Sequence, residues 1–216
     1  MSRLLSNFST NFTIVLLNAE TMQATEESRA VNIYTESNPN PNSLKFVANF
    51  MLMPEGVSRD YPNNESTVEA PLAKSLFNEF DFIEGVFYMS NFITITKNEE
   101  TEWFEVKAKI QQYIKDFLTE GKDIITEKII DNIDEELTGD DAEAKIKGVL
   151  EEYIKPAVEM DGGAIKLASY KDGVVTVTLQ GSCSGCPSST ITLKNGIENL
   201  LKRMVPEVKE VVAEEG

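Results

Sequence analysis

Hydrophobic positions in this chain change period several times, and each change marks an element. From Ala30 the run Val31-Asn32-Ile33-Tyr34 alternates with period two, as a half-buried strand does. The cluster Ser37-Asn38-Pro39-Asn40-Pro41-Asn42-Ser43 is dense in turn formers, and Leu44-Lys45-Phe46-Val47 resumes as a strand. These two strands are expected to pair as a hairpin-like ribbon. Pro71 opens a short helix through Phe77, with Leu72, Leu76 and Phe77 on one face. Val86 to Met89 and Phe92 to Thr96 read as two strands around a Ser90-Asn91 turn. Trp103 to Leu118 carries Trp103, Val106, Ile110, Ile114 and Phe117 on one helical stripe.

Apolar order then lapses. Residues 121–140 are rich in acids, including Asp134-Glu135-Glu136, and are expected to form a linker with no core element, Ile124-Ile125 and Ile129-Ile130 notwithstanding. From about Asp141 the helical period returns in Ile146, Val149, Leu150, Tyr153 and Ile154, with Pro156 set to bend or interrupt it. Asp161-Gly162-Gly163 predicts a turn with positive φ. Ala164–Tyr170 and Val174–Leu179 read as strands joined by the hairpin signal Asp172-Gly173. Ile191, Leu193, Ile197, Leu200, Leu201 and Met204 mark a helix, and a last strand runs through Val212. The pattern implies an α+β chain of two small domains. Residues 30–120 form the first and 141–216 the second, ordered α-β-β-α-β. Residues 1–29 are expected to be a disordered extension or a start assigned too early, with Met22 as the alternative beginning.

Charge narrows the partners. The formal net charge is −16, which argues against nucleic acid and against anionic membrane surfaces. No apolar run approaches the ~18 residues of a spanning helix. The 216 residues include no histidine, so imidazole bases and imidazole metal ligands are excluded from this chain. Two cysteines are too few for a secreted disulfide framework, and a reducing compartment fits them better. The compartment expected is the cytoplasm, or the mitochondrion in a eukaryote.

Those two cysteines stand together in Gly181-Ser182-Cys183-Ser184-Gly185-Cys186-Pro187-Ser188-Ser189-Thr190, between the strand and the helix. Thiolate is the metal-binding and nucleophilic form, and a helix N-terminus favours it. Pro187, just after Cys186, suits a first helical position. No Asp or Glu occurs between Gly173 and Gly196, although the chain holds 36 acids. Two packed or disulfide-bonded cysteines remain the bland reading. A thioredoxin-like redox pair competes, yet its usual aromatic before the first cysteine and proline between the two are missing. The elements before the loop are also antiparallel, with no βαβ crossover. A closed metal centre needs four ligands, and one chain offers two thiolates. The remaining pair comes most simply from a second copy, giving a homodimer around zinc or an iron–sulfur cluster. A 4Fe–4S core with four thiolates carries a net charge of about −2, which suits a segment free of acids.

Asp161-Gly162-Gly163 and the run from Leu179 through the cysteine loop to Glu198 closely resemble the C-terminal domain of NifU and the Nfu-type iron–sulfur proteins, over about residues 142–213. Asn38-Pro39-Asn40-Pro41-Asn42-Ser43-Leu44-Lys45-Phe46 resembles the N-terminal domain of Nfu proteins, over about 31–118. The resemblance implies a non-enzymatic scaffold or carrier in which Cys183 and Cys186 of two protomers hold a shared 4Fe–4S cluster. Its implied partners are upstream cluster-assembly proteins and apo iron–sulfur proteins. Ala164 departs from the acid that many relatives carry there, and is read as a non-ligand. The Asn/Pro cluster lacks the Gly and Lys of a phosphate loop and reads as a rigid turn. Trp103 reads as core or partner surface, and Lys194 either as a counter-charge to the cluster or as a solvated helix residue. A thiol–disulfide redox protein and a zinc-stapled dimer stand as the alternatives.

Overall fold

The computed structural model describes residues 30–126, 141–184 and 187–215. The expected N-terminal extension and residues 127–140 of the expected linker lie outside them.

The first unit is a five-stranded antiparallel sheet, β1 (Ile33–Ser37), β2 (Ser43–Ala48), β3 (Ser58–Tyr61), β4 (Ile83–Met89) and β5 (Phe92–Lys97). Their order across the sheet is β1-β2-β5-β4-β3. The expected ribbon between the first two strands is present, Tyr34 facing Val47 and Glu36 facing Lys45. Ser90, at φ 48, takes the turn between β4 and β5. Helices α1 (Pro71–Glu79) and α2 (Trp103–Thr119) bury Leu72, Ala73 and Leu76, and Val106, Ile110 and Ile114, against one face of the sheet. Alternation sends Leu44, Phe46, Val86, Tyr88, Ile93 and Ile95 into that core. Two features depart from expectation. Strand β3 has no alternating signature, and it forms because Tyr61 seats its ring edge-on against Tyr88, with centroids 5.3 Å apart. Ile124, assigned to the linker, is buried in the first core, and the Thr126 amide donates to the Glu69 carbonyl (2.8 Å). An isolated apolar pair within an acidic run is thus claimed by a nearby core, and the first unit extends to Thr126.

The second unit begins with α3 (Asp141–Val149), one π turn (Leu150–Ile154) and α4 (Lys155–Met160). The Lys155 amide bonds the Leu150 carbonyl, five residues back, which widens the helix where Pro156 brings a ring and no N–H. The helical run passes through the proline without ending. Strands β6 (Gly163–Lys171) and β7 (Val174–Gly181) form the expected hairpin, with Asp172 and Gly173 both at positive φ as a type I′ turn requires. Helix α5 (Pro187–Met204) leads to β8 (Glu210–Glu215), which pairs parallel with β7. The order α-β-β-α-β holds, and a βαβ crossover follows the cysteine loop where only its absence before the loop was foreseen. Ile146, Val149, Leu150 and Val158 close over Val175, Val177, Leu179, Ile197, Leu201 and Val211.

Candidate functional site

The other face of the first sheet is also covered. Val47, Phe87, Met89 and Phe92 form an apolar cluster with Ala164 of β6. This is why every residue of β2 is buried. Ala164, 4% exposed, therefore lies in the seam between the two units, where an acid would be a buried charge.

One cross-strand row organises that seam. Register places Glu36 beside Lys45, Lys45 beside Thr94, Thr94 beside Phe87, and Phe87 beside Asp60. The four members after Glu36 all reach the segment that carries the cysteine loop. Lys45 pairs with Glu36 at 3.0 Å and donates from Nζ to the Met160 carbonyl (3.2 Å). Thr94 Oγ1 donates to the Gly162 carbonyl at 2.7 Å. The Phe87 ring lies so near Gly181 that a Cβ there would meet it at 2.9 Å. The Asp60 carboxylate accepts from the Gly181 amide. Gly162 (φ +84) and Gly181 (φ +64) hold backbone conformations that L side chains rarely adopt, so the turn expected at Asp161-Gly162-Gly163 is present.

The loop itself leaves β7 at Gly181 through a turn closed by the Ser184 amide on the Gly181 carbonyl (3.1 Å). Ser182 is its anchor. Its hydroxyl donates to the Asp161 carbonyl (2.6 Å), its amide donates to the Gly162 carbonyl (3.3 Å), and its carbonyl accepts from Asn40 Nδ2 (3.0 Å). Asn40 belongs to the first unit and is 3% exposed. Its Oδ1 accepts from the Asn42 amide, while Asn38 Oδ1 accepts from the Asn40 amide and the Ser43 hydroxyl. The Asn/Pro cluster is thus the rigid turn that was expected. Its contact with the cysteine loop was not foreseen, because no local pattern encodes a bond spanning 142 residues. Trp103 braces the same turn by donating from Nε1 to the Pro41 carbonyl (3.0 Å), which answers its core-or-surface reading in favour of structure.

Cys183 is 7% exposed and packs within the second core. A Cβ on Gly163 would meet its sulfur at 3.0 Å, and the Ser182 hydroxyl lies 3.9 Å from it. Cys186, the other sequence-derived ligand, lies outside the described residues. Lys194 sits one helical turn before Glu198, whose carboxyl is held below its ordinary range by a hydrogen bond from Lys202 first and by Lys194 least. Beside the loop is a cavity of about 270 Å³ whose lining includes Asn40, Asp60, Glu84, Thr94, Glu99 and Ser184. The segment free of acids in sequence is therefore not free of them in space: strands β3 and β4 and the turn after β5 bring three carboxyl groups to its side. Among the described residues, no three Cys, Asp or Glu converge on a common metal position, and no helix is long and apolar enough to cross a membrane.

Two family models match in tandem, "Scaffold protein Nfu/NifU N terminal" over residues 33–121 and "NifU-like domain" over 146–212. The protein is 42% identical over 185 residues to a Drosophila persimilis protein named NFU1 iron-sulfur cluster scaffold homolog, mitochondrial, and 41% identical to its Drosophila sechellia counterpart. Each match takes in 85% of this chain but 65% of the relative, so the chain spans just under two thirds of those proteins. Solved structures also match, among them the following two. A NifU-like protein from Saccharomyces cerevisiae is 24% identical, with a TM-score of 0.42, over 59% of this chain and all of that one. A Staphylococcus aureus protein is 17% identical, with a TM-score of 0.34, over 38% of this chain and 98% of that one. The order of the two matched domains, and sequence identity across both, make this chain a member of the Nfu family, an Nfu-type N-terminal domain followed by a NifU-like domain.

Proposed function

We propose that this protein takes part in iron–sulfur cluster assembly as a carrier. Cys183 and Cys186 of two copies hold one 4Fe–4S cluster and pass it to apo-proteins. The observation that carries the reading is the ligand count at the loop between β7 and α5: two thiolates, no histidine anywhere in the chain, and therefore half of a four-ligand site. The scaffold names of the relatives support the cluster over other cargo, and their mitochondrial designation supports that compartment for this chain.

Transfer follows from thiolate chemistry. An incoming acceptor thiolate forms one iron–sulfur bond as one bond to Cys183 or Cys186 breaks, thiolate for thiolate, so neither charge nor oxidation state changes. Repetition at each ligand moves the cluster without a general base, a nucleophile or a turned-over substrate. The protein accordingly acts as a binding partner and not as an enzyme, and its partners are cluster donors and apo iron–sulfur proteins.

Anaerobic reconstitution with iron and sulfide tests the reading. The expected product is a dimer with charge-transfer absorption and about two irons per protomer, and Cys183→Ala should abolish it. A brown dimer retained by Cys183→Ala would sink the ligand assignment, and zinc without acid-labile sulfide would favour a stapled dimer. The crossover after the loop favours a thiol–disulfide exchanger, for which the cluster-free protein should reduce a disulfide substrate rapidly and with no need for iron.

A further inference from the structure

We propose that the N-terminal domain is a latch on the cysteine loop. Docked through Asn40 and the row Lys45–Thr94–Phe87–Asp60, it holds Cys183 turned into the second core, and the loop takes up its cluster only when that docking is released. The inference rests on the carrier reading above for what the loop binds, but not for the latch itself.

Three observations converge. Cys183 is 7% exposed within the second core, so its sulfur is withheld from any species approaching from solvent. The backbone on either side of Ser182 is fixed from two directions, by its own turn at Asp161 and Gly162 and by Asn40 of the other domain. That turn is in turn gripped by Thr94 and Lys45. Turning Cys183 outward requires Ser182 to rotate, and Ser182 cannot rotate while its carbonyl and hydroxyl keep these bonds. The third observation is charge. Docking brings Asp60, Glu84 and Glu99 to the cavity beside Ser184, and a thiolate-bound cluster is anionic. Like charges disfavour each other across a partly enclosed cavity. The docked arrangement and the loaded loop therefore oppose one another, and by reciprocity a loaded cluster loosens the docking as strongly as docking resists loading.

Asn40 and Thr94 are on this view positioning residues, acting on the ligand through the loop backbone. The test is the rate at which Cys183 reacts with an aromatic disulfide reagent in cluster-free full-length protein, in a Cys186→Ala background that leaves a single thiol. Asn40→Ala removes the bond to the Ser182 carbonyl and should speed the reaction about fivefold, the factor of one net hydrogen bond. Ala164→Asp places a charge in the apolar seam, on β6 beside Gln180, and should speed it by more than about tenfold. Tryptophan fluorescence and far-UV circular dichroism verify that each variant remains folded. If Ala164→Asp does not fold, Asn40→Ala with Thr94→Val carries the test. Equal rates in parent and folded variants would overturn the latch while leaving the carrier reading intact. Failure of iron and sulfide reconstitution with accelerated thiol reaction would do the reverse. In wild-type protein, amide hydrogen exchange at Val47, Phe87 and Phe92 should rise on cluster loading, and unchanged protection there would also overturn the proposal.

Discussion

Asp60 ends the cross-strand row with a carboxyl group whose pKa is pushed from an ordinary 3.8 to about 6. Burial is the main cause, opposed by the Gly181 amide and the charge of Lys166. A raised acid favours the fold only while it stays protonated: its contribution is complete below about pH 4 and is lost as pH rises through about 6. The stability gained by Asp60→Asn should therefore be about 2 kcal/mol larger at pH 7.5 than at pH 4.5, at 1.36 kcal/mol per pKa unit. Urea unfolding of both proteins at the two pH values measures it, and a pH-independent difference would place the carboxyl in water. Gly181 makes a second demand at this scale. Its φ of +64 and the Phe87 ring against it leave no room for a methyl group. Gly181→Ala should cost roughly 1–3 kcal/mol, read as a lower urea midpoint at unchanged slope. None of this was visible in the residue string, where Asp60 is one acid among 36.

Elements were legible where period and punctuation agreed. The alternation in β1 and β7, the turn-bounded apolar runs of β2, β4 and β5, the Asp172-Gly173 hairpin and the stripe of α2 each follow from local sequence, and so does the cysteine loop between strand and helix. What escaped was tertiary in origin. Ser58-Arg59-Asp60-Tyr61 becomes β3 only because β4 offers an edge and Tyr88 offers a ring. Ile124 joins a core that its acidic neighbours conceal. The 38–43 turn was read as rigid from its Asn and Pro content, but its use as a brace depends on Trp103. Trp103→Phe keeps the ring near Phe46 and removes the hydrogen bond to Pro41, so it should lower stability by about 1 kcal/mol. Equal unfolding midpoints for the two proteins would mean that water replaces the indole N–H without loss.

The whole molecule carries a formal charge of −16, and the proposed dimer brings two such chains together. Their repulsion is screened within about 8 Å at physiological ionic strength. Cluster-loaded protein should therefore associate more strongly at about 300 mM salt than at about 20 mM, where the screening length is some four times longer. Analytical ultracentrifugation measures this, and weaker association in salt would point to ion pairs across the dimer contact.

The double coverage of the first sheet has a further consequence. In β2, β4 and β5, parity separates two kinds of constraint. Phe46, Tyr88 and Ile93 face the helices, whereas Val47, Phe87 and Phe92 face the other domain. Saturation mutagenesis scored once for abundance and once for thiol protection should then sort neighbouring residues into alternating classes. Damage at one set would be felt as loss of protein, and at the other as protein that accumulates normally but no longer governs its cysteine. A single strand would thus be subject to two independent selections, interleaved residue by residue.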